Sequence, residues 1–302
     1  AGGYAGKTDT LHTAVTYYKG MYRELTSHGV ELRVWTGDEW HWMHCRLYGK
    51  KLPEDGQLMS PSVVYEHPYT MLQVPVKEVV QDASGLKERI AAERNVCGVQ
   101  FGTKDVFAVA SVLTADGKEA AVRYFKGGNR YGDQCRRVVE HIDKSHASHG
   151  ENGKGPVNQR YWMQIKHLNS HYAHQVSREI VEYCKAHEVG IIAFPKYAES
   201  YEKNVKKASG NYSALHLSTR IREYLTYKAW QSGILVIDIN AKGLHENCAV
   251  CGANIVSVDK KTQECTCEAG HKTNRYLNIA RNTAKRCLAQ FQKKQKASET
   301  AG

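Results

Sequence analysis

Residues 248–252 read CAVCG, residues 265–271 read CTCEAGH, and residues 274–282 read NRYLNIARN. The first two pieces have the composition of a zinc site, because Cys-x-x-Cys on a tight turn directs both sulfurs toward one ion. The third piece has the character of a helix start. This stretch therefore predicts a metal-binding knuckle that leads directly into a helix.

The predicted ligands of the knuckle are Cys248, Cys251, Cys267 and His271, with Cys265 as the competing fourth ligand. Four of the nine cysteines fall between residues 248 and 267, and such clustering favours a metal site over a disulfide framework. A structural Zn²⁺ ion is the predicted cofactor. The alternatives are a chance cluster of buried cysteines and a ribbon that has lost its zinc.

The charge of the chain points to a polyanionic partner. The 302 residues include 42 Lys and Arg against 31 Asp and Glu, a formal net charge of +11. Such a surplus favours nucleic acid, since neutralised phosphates release condensed counterions. Proteins that are basic for other reasons also have such a surplus of positive charge. No apolar run approaches the roughly 18 residues of a membrane span, so no membrane partner is expected.

The first part of the chain, residues 1–85, is predicted to form a small β-barrel domain with an N-terminal helix. Apolar residues at helical spacing indicate the helix over residues 12–28. Alternating polar and apolar residues indicate strands over 30–35, 40–47, 63–65 and 71–76. The chain opens on Ala-Gly-Gly rather than Met, and this domain is expected to be incomplete.

The second part, residues 86–302, is predicted to form one α/β domain. Three long strands are followed by helices over residues 130–185 with a polar loop at 145–155, then by a strand, a helix over 215–231 and another strand. The knuckle is inserted at about residues 244–273, ahead of the last helix. This order matches a ribonuclease-H-like sheet with its helices.

Several short motifs resemble those of TnpB and the related type V CRISPR effectors. GVQFGTK at 98–104 is similar to their first RuvC motif, AHQVSREIV at 173–181 to their bridging helix, and YKA at 227–229 to a later helix. CAVCG at 248–252 and NIARN at 278–282 resemble the ends of their zinc-ribbon and third-motif block. Each motif is weak alone, but the ordered set over roughly residues 60–290 is specific.

The resemblance implies a RuvC domain with an inserted zinc ribbon, preceded by a wedge (OB-like) β-barrel. It implies a guide RNA and target double-stranded DNA as partners, with base pairing selecting the target. A transcription-related protein or a second copy of the chain is a further candidate partner. The implied location is the bacterial cytoplasm, in association with the nucleoid. The helical recognition lobe usual to the family is expected to be reduced or absent.

The positions that carry carboxylates in the family are occupied here by Gln100, Phe194 and Tyr276. RuvC-type hydrolysis needs about three clustered carboxylates to hold two divalent metals, and neutral side chains cannot replace them. The resemblance therefore predicts no catalytic Mg²⁺ and no enzyme activity. It predicts a nuclease-inactive, RNA-guided DNA-binding protein that forms an R-loop without cutting and controls transcription, with repression favoured over partner-mediated activation.

Two other functions remain open at the level of sequence. One is an active RuvC-type endonuclease with relocated carboxylates, for which Asp105, Glu199 and Asp238 are the candidates. The other is a structural RNA-binding or partner-recruiting subunit that no longer opens DNA.

The predicted nucleic-acid-binding residues combine cations with one aromatic ring, as phosphate contacts and base stacking require. The first group follows the polar loop, the second lies in a Lys-rich segment predicted to be a loop, and the third lies on the helix over 215–231. They are Arg160, Trp162, Lys166, Lys203, Lys206, Lys207, Arg220, Arg222 and Lys228.

Overall fold

The structure is a computed structural model. It describes residues 14–299 apart from residues 55, 67, 68, 78, 81, 83 and 150–157. The chain divides into two compact units, Ala1–Val79 and Val80–Gly302. The boundary predicted from the sequence lies slightly later, between residues 85 and 86.

The first unit is built from short strands. They are β1 (Val15–Thr16), β2 (Tyr22–Arg23), β3 (Gly29–Trp35), β4 (Trp40–Arg46), β5 (Gln57–Leu58), β6 (Ser62–Glu66), β7 (Tyr69–Gln73) and β8 (Val76–Lys77). They pair into three small antiparallel sheets, ordered β2-β3-β4, β1-β6-β7 and β5-β8. The predicted strands are thus present, and closure of a barrel stays a prediction.

The helix predicted over residues 12–28 is wrong where the structure describes it, since residues 14–28 hold β1, β2 and turns. The segment is rich in Thr and Tyr, which favour strands over helices. Gly20 has a φ of 89°, a left-handed conformation that interrupts any helix. Pairing with β6 and β3 supplies the hydrogen bonds that a helix would otherwise provide.

The second unit alternates strands and helices. Its elements are α1 (Leu86–Ala91), β9 (Asn95–Phe101), β10 (Val106–Leu113), β11 (Glu119–Lys126), α2 (Gly128–His149), α3 (Gln159–Ala186), β12 (Val189–Lys196), α4 (Glu199–Ser209), a 3-10 turn (Ala214–Leu217), α5 (Ser218–Gln231), β13 (Leu235–Asn240), β14 (Ile255–Val258), β15 (Glu264–Cys267), β16 (Lys272–Asn274) and α6 (Arg275–Glu299). The predicted order of strands and helices is observed.

A five-stranded mixed sheet organises this unit, in the order β11-β10-β9-β12-β13. The first three strands run antiparallel, and β12 and β13 run parallel to β9. The carboxyl ends of β9, β12 and β13 therefore meet at one edge. In such sheets the groups that follow the carboxyl ends of parallel strands form the usual ligand crevice.

Two apolar layers cover the faces of this sheet. Side chains alternate along β9, so Cys97 and Val99 join the larger core with α3 and α5, while Val96 joins a smaller core with α6. Gly98 lies on the α6 side, where an added Cβ would stand 2.1 Å from the carbonyl oxygen of Ala280. Only glycine allows α6 to approach the central strand this closely.

Two connections differ from the sequence-based expectation. The Lys-rich segment predicted to be a loop is the helix α4, which has no buried residue. Glu199 and Glu202 in its first turn, with Lys206 and Lys207 in its last, complement the helix dipole and explain why it forms. Of the polar loop predicted at 145–155, residues 145–149 belong to α2, and residues 150–155 lie outside the described part of the chain.

Candidate functional site

A cavity of about 260 Å³ lies at the carboxyl ends of the parallel strands. Gln100 at the end of β9 and Tyr276 in the first turn of α6 both line it. Phe194 on β12 is 1% exposed and lies beneath the cavity, where its ring stacks on that of Phe101 at 5.4 Å. The structure thus brings the three predicted degenerate positions to one place.

The polar side-chain atoms at these positions form hydrogen bonds with uncharged groups. The Tyr197 hydroxyl donates to Gln100 Oε1 at 3.0 Å, and Gln100 Nε2 donates to the Phe101 carbonyl at 2.9 Å. The hydroxyls of Tyr276 and Thr103 are hydrogen-bonded at 2.6 Å. Burial raises the pKa of Tyr197, so this hydroxyl stays neutral. The polar side-chain atoms of Gln100 and Tyr276 are thus paired with uncharged groups.

A cation lies over the ring of Phe194. The Arg222 guanidinium carbon stands 5.1 Å from the centre of the Phe194 ring, and Arg222 Nη2 donates to the carboxylate of Asp238. The register of the sheet explains the contact, because Phe194 on β12 and Asp238 on β13 are neighbours. The ion pair with Arg222 engages Asp238, one of the three carboxylates that an active nuclease with relocated carboxylates would use.

The other two candidate carboxylates are also engaged elsewhere. Glu199 forms an exposed ion pair with Lys203 at 2.6 Å. Asp105 Oδ1 accepts a long hydrogen bond, 3.4 Å, from the backbone N–H of Asn129. Neither lines the cavity, where Glu202 is the one acid among the lining residues. Throughout the described residues, the acid, Cys and His groups close enough to share an ion are those of the knuckle.

The knuckle brings Cys248, Cys251, Cys267 and His271 together, with all four potential ligand atoms within 4.8 Å of one another. Cys251 Sγ and Cys267 Sγ are 3.7 Å apart, and Cys267 Sγ is 3.6 Å from His271 Nδ1. Three thiols and one imidazole are the donor set of a structural, tetrahedral zinc site.

Thiolate formation is favoured at the first ligand. Burial alone would raise the pKa of Cys248, but hydrogen bonds from the backbone N–H groups of Cys251 and Val250 lower its pKa overall. The residues present therefore fit Zn²⁺, which binds thiolates rather than thiols.

Cys265 does not belong to this group. It lies two residues before Cys267 on β15, and its Sγ donates to the carbonyl of Thr273 at 3.3 Å. Burial raises the pKa of Cys265, which keeps the thiol protonated. Of the two candidates for the fourth ligand position, the structure places Cys267 beside His271.

Two asparagines of α6 fasten the knuckle to the last helix. Asn278 is 1% exposed; its Oδ1 accepts from the N–H of Ala249 at 2.7 Å, and its Nδ2 donates to the carbonyl of Asn247 at 2.8 Å. Asn282 Nδ2 donates to the carbonyls of Leu244 and Asn247 at 2.9 and 2.8 Å. The NIARN motif thus has a structural role independent of nuclease chemistry.

The predicted nucleic-acid-binding residues lie on three helices. Arg160, Trp162 and Lys166 are exposed at the start of α3, where Trp162 is 51% exposed. The three lysines lie on α4. Arg220, Arg222 and Lys228 lie on α5 and are half-buried.

Two residues of the α5 group make internal contacts. Lys228 Nζ donates to the carbonyl of His174 at 2.8 Å and to Ser177 Oγ at 2.7 Å, which joins α5 to α3. Arg222 lines the cavity and pairs with Asp238. A role for the whole set in nucleic-acid binding stays a prediction.

Sequence reasoning missed most of the cavity wall, which includes Thr103, Tyr197, Tyr201, Glu202 and Arg275. The rings of Tyr197 and Tyr201 stack with centroids 5.1 Å apart and planes 29° apart. One signal was present: two tyrosines four residues apart directly follow the carboxyl end of a buried strand, where ligand crevices form.

The comparisons find one matching domain and a shared fold. Residues 219–283, from α5 through the knuckle into α6, match the family model described as Cas12f1-like, TNB domain. No curated protein matches the chain.

Solved structures share its fold. A Cas12f1 chain from a complex with sgRNA and target DNA matches with a TM-score of 0.55 and 15% identity, over 76% of this chain and 46% of that chain. A CRISPR-Cas12f ternary complex matches with a TM-score of 0.50 and 14% identity over the same shares. C2c1 of Alicyclobacillus acidoterrestris, in complex with single-guide RNA, matches with a TM-score of 0.54 and 10% identity, over 94% of this chain and 55% of that chain.

The domain match over residues 219–283 and the shared fold agree with the resemblance of its motifs to TnpB and the type V CRISPR effectors. The chain spans about half the length of these effectors. Among the helices that the structure describes, none is long and apolar enough to cross a membrane.

Proposed function

We propose that the chain is a nuclease-inactive, RNA-guided DNA-binding protein. Its partners are a guide RNA and a target DNA duplex, the molecules bound in the solved Cas12f1 complex. The observation that carries the proposal is the neutral cluster of Gln100, Phe194 and Tyr276 at the position that corresponds to the family's metal site.

The chemistry of this cluster argues against a two-metal site. Two divalent ions require anionic oxygen ligands on hard, closely spaced carboxylates. Here an amide, a phenyl ring and a phenol stand in their place, and the guanidinium of Arg222 adds a positive charge. The ion pair of Arg222 with Asp238 also engages one of the candidate carboxylates.

The architecture supports a RuvC-type domain for the second unit. Its sheet order, with three antiparallel strands followed by two parallel ones, is that of a ribonuclease-H-like sheet. The insertion between β13 and α6 supports a zinc ribbon that holds Zn²⁺ through Cys248, Cys251, Cys267 and His271. We assign the first unit to the wedge, OB-like β-barrel domain.

An R-loop that forms and is not cut remains on the DNA. It blocks an advancing polymerase, so repression of transcription is the proposed outcome, and activation through a recruited partner comes second. The net charge of +11 supports retention of nucleic-acid binding without nuclease activity, because phosphate contacts need cations and no metal.

The decisive experiment begins with the RNA that copurifies with the protein. Sequencing is expected to reveal a discrete guide. A labelled duplex that matches this guide should then shift in a gel, while a duplex mismatched in the seed should not. Equal binding to both duplexes would instead favour a structural RNA-binding subunit that no longer opens DNA, and absence of a discrete RNA would contradict the proposal.

Cleavage separates this proposal from an active nuclease with relocated carboxylates. The matched duplex is expected to remain intact with Mg²⁺ or Mn²⁺ present. Guide-dependent cutting that is lost on substitution of Asp105 or Asp238 would overturn nuclease inactivity. The ion pair between Asp238 and Arg222 argues against that outcome.

A further inference from the structure

The cavity at the carboxyl ends of β9 and β12 has features that loss of metal binding does not explain. A degenerate site needs no open space, yet about 260 Å³ remains between the strand ends, α4, α5 and the start of α6. This volume is close to the lower limit of ligand pockets, roughly 300 Å³, which is the scale of a single nucleotide.

One wall of the cavity is aromatic. The stacked rings of Tyr197 and Tyr201 belong to it, and Tyr201 is 45% exposed. Tyr197 is held in place by its hydrogen bond to Gln100, and Phe101 is held by its stack on Phe194. Fixed ring faces of this kind bind planar heteroaromatic groups, with about 1–3 kcal/mol for each nucleobase stacked.

The other walls carry more positive than negative charge. Lys206, Arg222 and Arg275 line the cavity together with a single acid, Glu202. Lys206 Nζ donates to Thr219 Oγ1 at 2.6 Å, which positions its ammonium group at the cavity. A guanidinium has five N–H donors, and the ion pair with Asp238 engages Nη2 of Arg222. Donors therefore remain for an anion.

We propose that this cavity is a metal-independent binding site for one unstacked nucleotide. The base lies against the Tyr197–Tyr201 wall, and the phosphate lies near Lys206 and Arg275. The ligand is either a nucleotide within a single strand or a free nucleotide, which share this chemistry. For the single-strand source the inference rests on the proposed function, since a held nucleotide would stabilise displaced DNA in an R-loop that is not cut.

Binding is tested on the full, guide-free chain without a chelator, so that the knuckle keeps its metal. The probe is a fluorescein-labelled dT12 oligonucleotide followed by anisotropy, with and without added Mg²⁺. Wild type should bind without added Mg²⁺, and Mg²⁺ should not strengthen binding, because added cations compete for the phosphates. Tyr201→Ala should weaken binding about 10-fold, as expected for the loss of one stacking partner, and Lys206→Gln should weaken it by a similar factor.

The matched control is Tyr227→Ala. Tyr227 is also 45% exposed and belongs to the same unit, but it does not line the cavity. Its substitution should change the dissociation constant less than twofold. Neither tyrosine is among the buried residues of its helix, so neither substitution removes a buried side chain, and circular dichroism checks that both variants fold.

Competition with AMP and dTMP identifies the source of the ligand. If AMP or dTMP displaces dT12 from wild type, and does so less effectively from Tyr201→Ala, the ligand is a free nucleotide. If neither AMP nor dTMP displaces dT12, the ligand is a nucleotide within a strand. Equal affinities of wild type, Tyr201→Ala and Lys206→Gln for every probe would overturn the inference. Because no guide is present, this failure is distinguishable from failure of matched-duplex binding.

Discussion

At the scale of single residues, Arg222 bears on the proposed lack of a catalytic metal site, because a single introduced carboxylate would not be enough to create one. Its guanidinium lies over the Phe194 ring and binds Asp238. A carboxylate introduced at position 194 would meet this cation first. In the proposed function, the neutral side chains of Gln100, Phe194 and Tyr276 and the neighbouring cation act in the same direction, because both lower the affinity of the site for divalent ions.

We therefore expect metal binding to appear only when several positions change together. The triple variant Gln100→Asp, Phe194→Glu and Tyr276→Asp should bind Mn²⁺, while each single variant should not. Addition of Arg222→Gln should tighten binding on the order of 10-fold, since it removes the competing cation. Electron paramagnetic resonance of free Mn²⁺ measures the titration.

Circular dichroism provides the folding control for these variants, because Phe194→Glu places an acid at a buried position. Stoichiometric Mn²⁺ binding by the unmodified cavity, unchanged by Gln100→Asn, would contradict the assignment of Gln100, Phe194 and Tyr276 as a lost metal site.

The sequence predicted some of these residues because their chemistry is local. Cys-x-x-Cys spacing indicated the first two knuckle ligands, whereas the choice between Cys265 and Cys267 needed the observed contact of Cys265 Sγ with the Thr273 carbonyl. The cavity was missed because Tyr197, Arg275 and Lys206 are far apart in sequence and meet only when three elements pack. Arg222 was assigned to nucleic acid because its partner, Asp238, lies on a different element.

At the scale of elements, α6 connects the knuckle to the central sheet. Arg281 on α6 forms a two-pronged ion pair with Glu119 on β11, with both N···O distances 2.7 Å. Ser111 Oγ also donates to Glu119 Oε1 at 2.8 Å. The hydrogen bonds from Arg281, followed by that from Ser111, lower the pKa of Glu119 despite its partial burial.

This pKa shift predicts a pH-dependent contribution to stability. A carboxyl group whose pKa is lower in the folded state stabilises the fold above its unfolded pKa, about 4.3, and this contribution is lost as pH falls through the folded pKa. The stability difference between wild type and Glu119→Gln, from urea unfolding, should be larger at pH 7 than at pH 3. Glu182→Gln removes an exposed pair with Lys185 and should have little effect at either pH.

The knuckle gives a second prediction at this scale. Wild type should contain about one zinc ion per chain, and Cys251→Ser should lose it, because a structural site needs all four ligands. Cys265→Ser should retain the ion, since Cys265 Sγ is directed to the Thr273 carbonyl. Elemental analysis by mass spectrometry measures both. Loss of zinc in Cys265→Ser with retention in Cys267→Ser would reverse the ligand assignment.

Helices and strands were predictable where a single hydrophobic periodicity dominates the segment. The strands and the helices α3 and α5 carry long apolar patterns, and they were predicted correctly. Residues 14–28 combine helical spacing with strand-forming side chains, and pairing with β6 and β3 decided the outcome. The Lys-rich segment is the helix α4, although it has no buried residue by which an apolar stripe could have indicated it.

At the scale of the whole molecule, the excess of cations determines how strongly nucleic acid is held at a given salt concentration. For duplex DNA the logarithm of affinity falls with the logarithm of salt concentration at about −0.9 per phosphate neutralised. The prediction that α4 lysines bind phosphate therefore has a quantitative consequence. Lys203 and Lys207 are both exposed on that helix, so their removal leaves the core unchanged.

The double variant Lys203→Gln with Lys207→Gln should reduce the steepness of the salt dependence by about 2 for the guide-bound protein on matched duplex. The matched control is Lys118→Gln with Lys126→Gln, which removes the same charge from exposed positions at the ends of β11. Anisotropy titrations between about 50 and 200 mM salt measure the slopes. If both double variants change the slope equally, general charge rather than contact by α4 would explain binding, and the α4 prediction would be wrong.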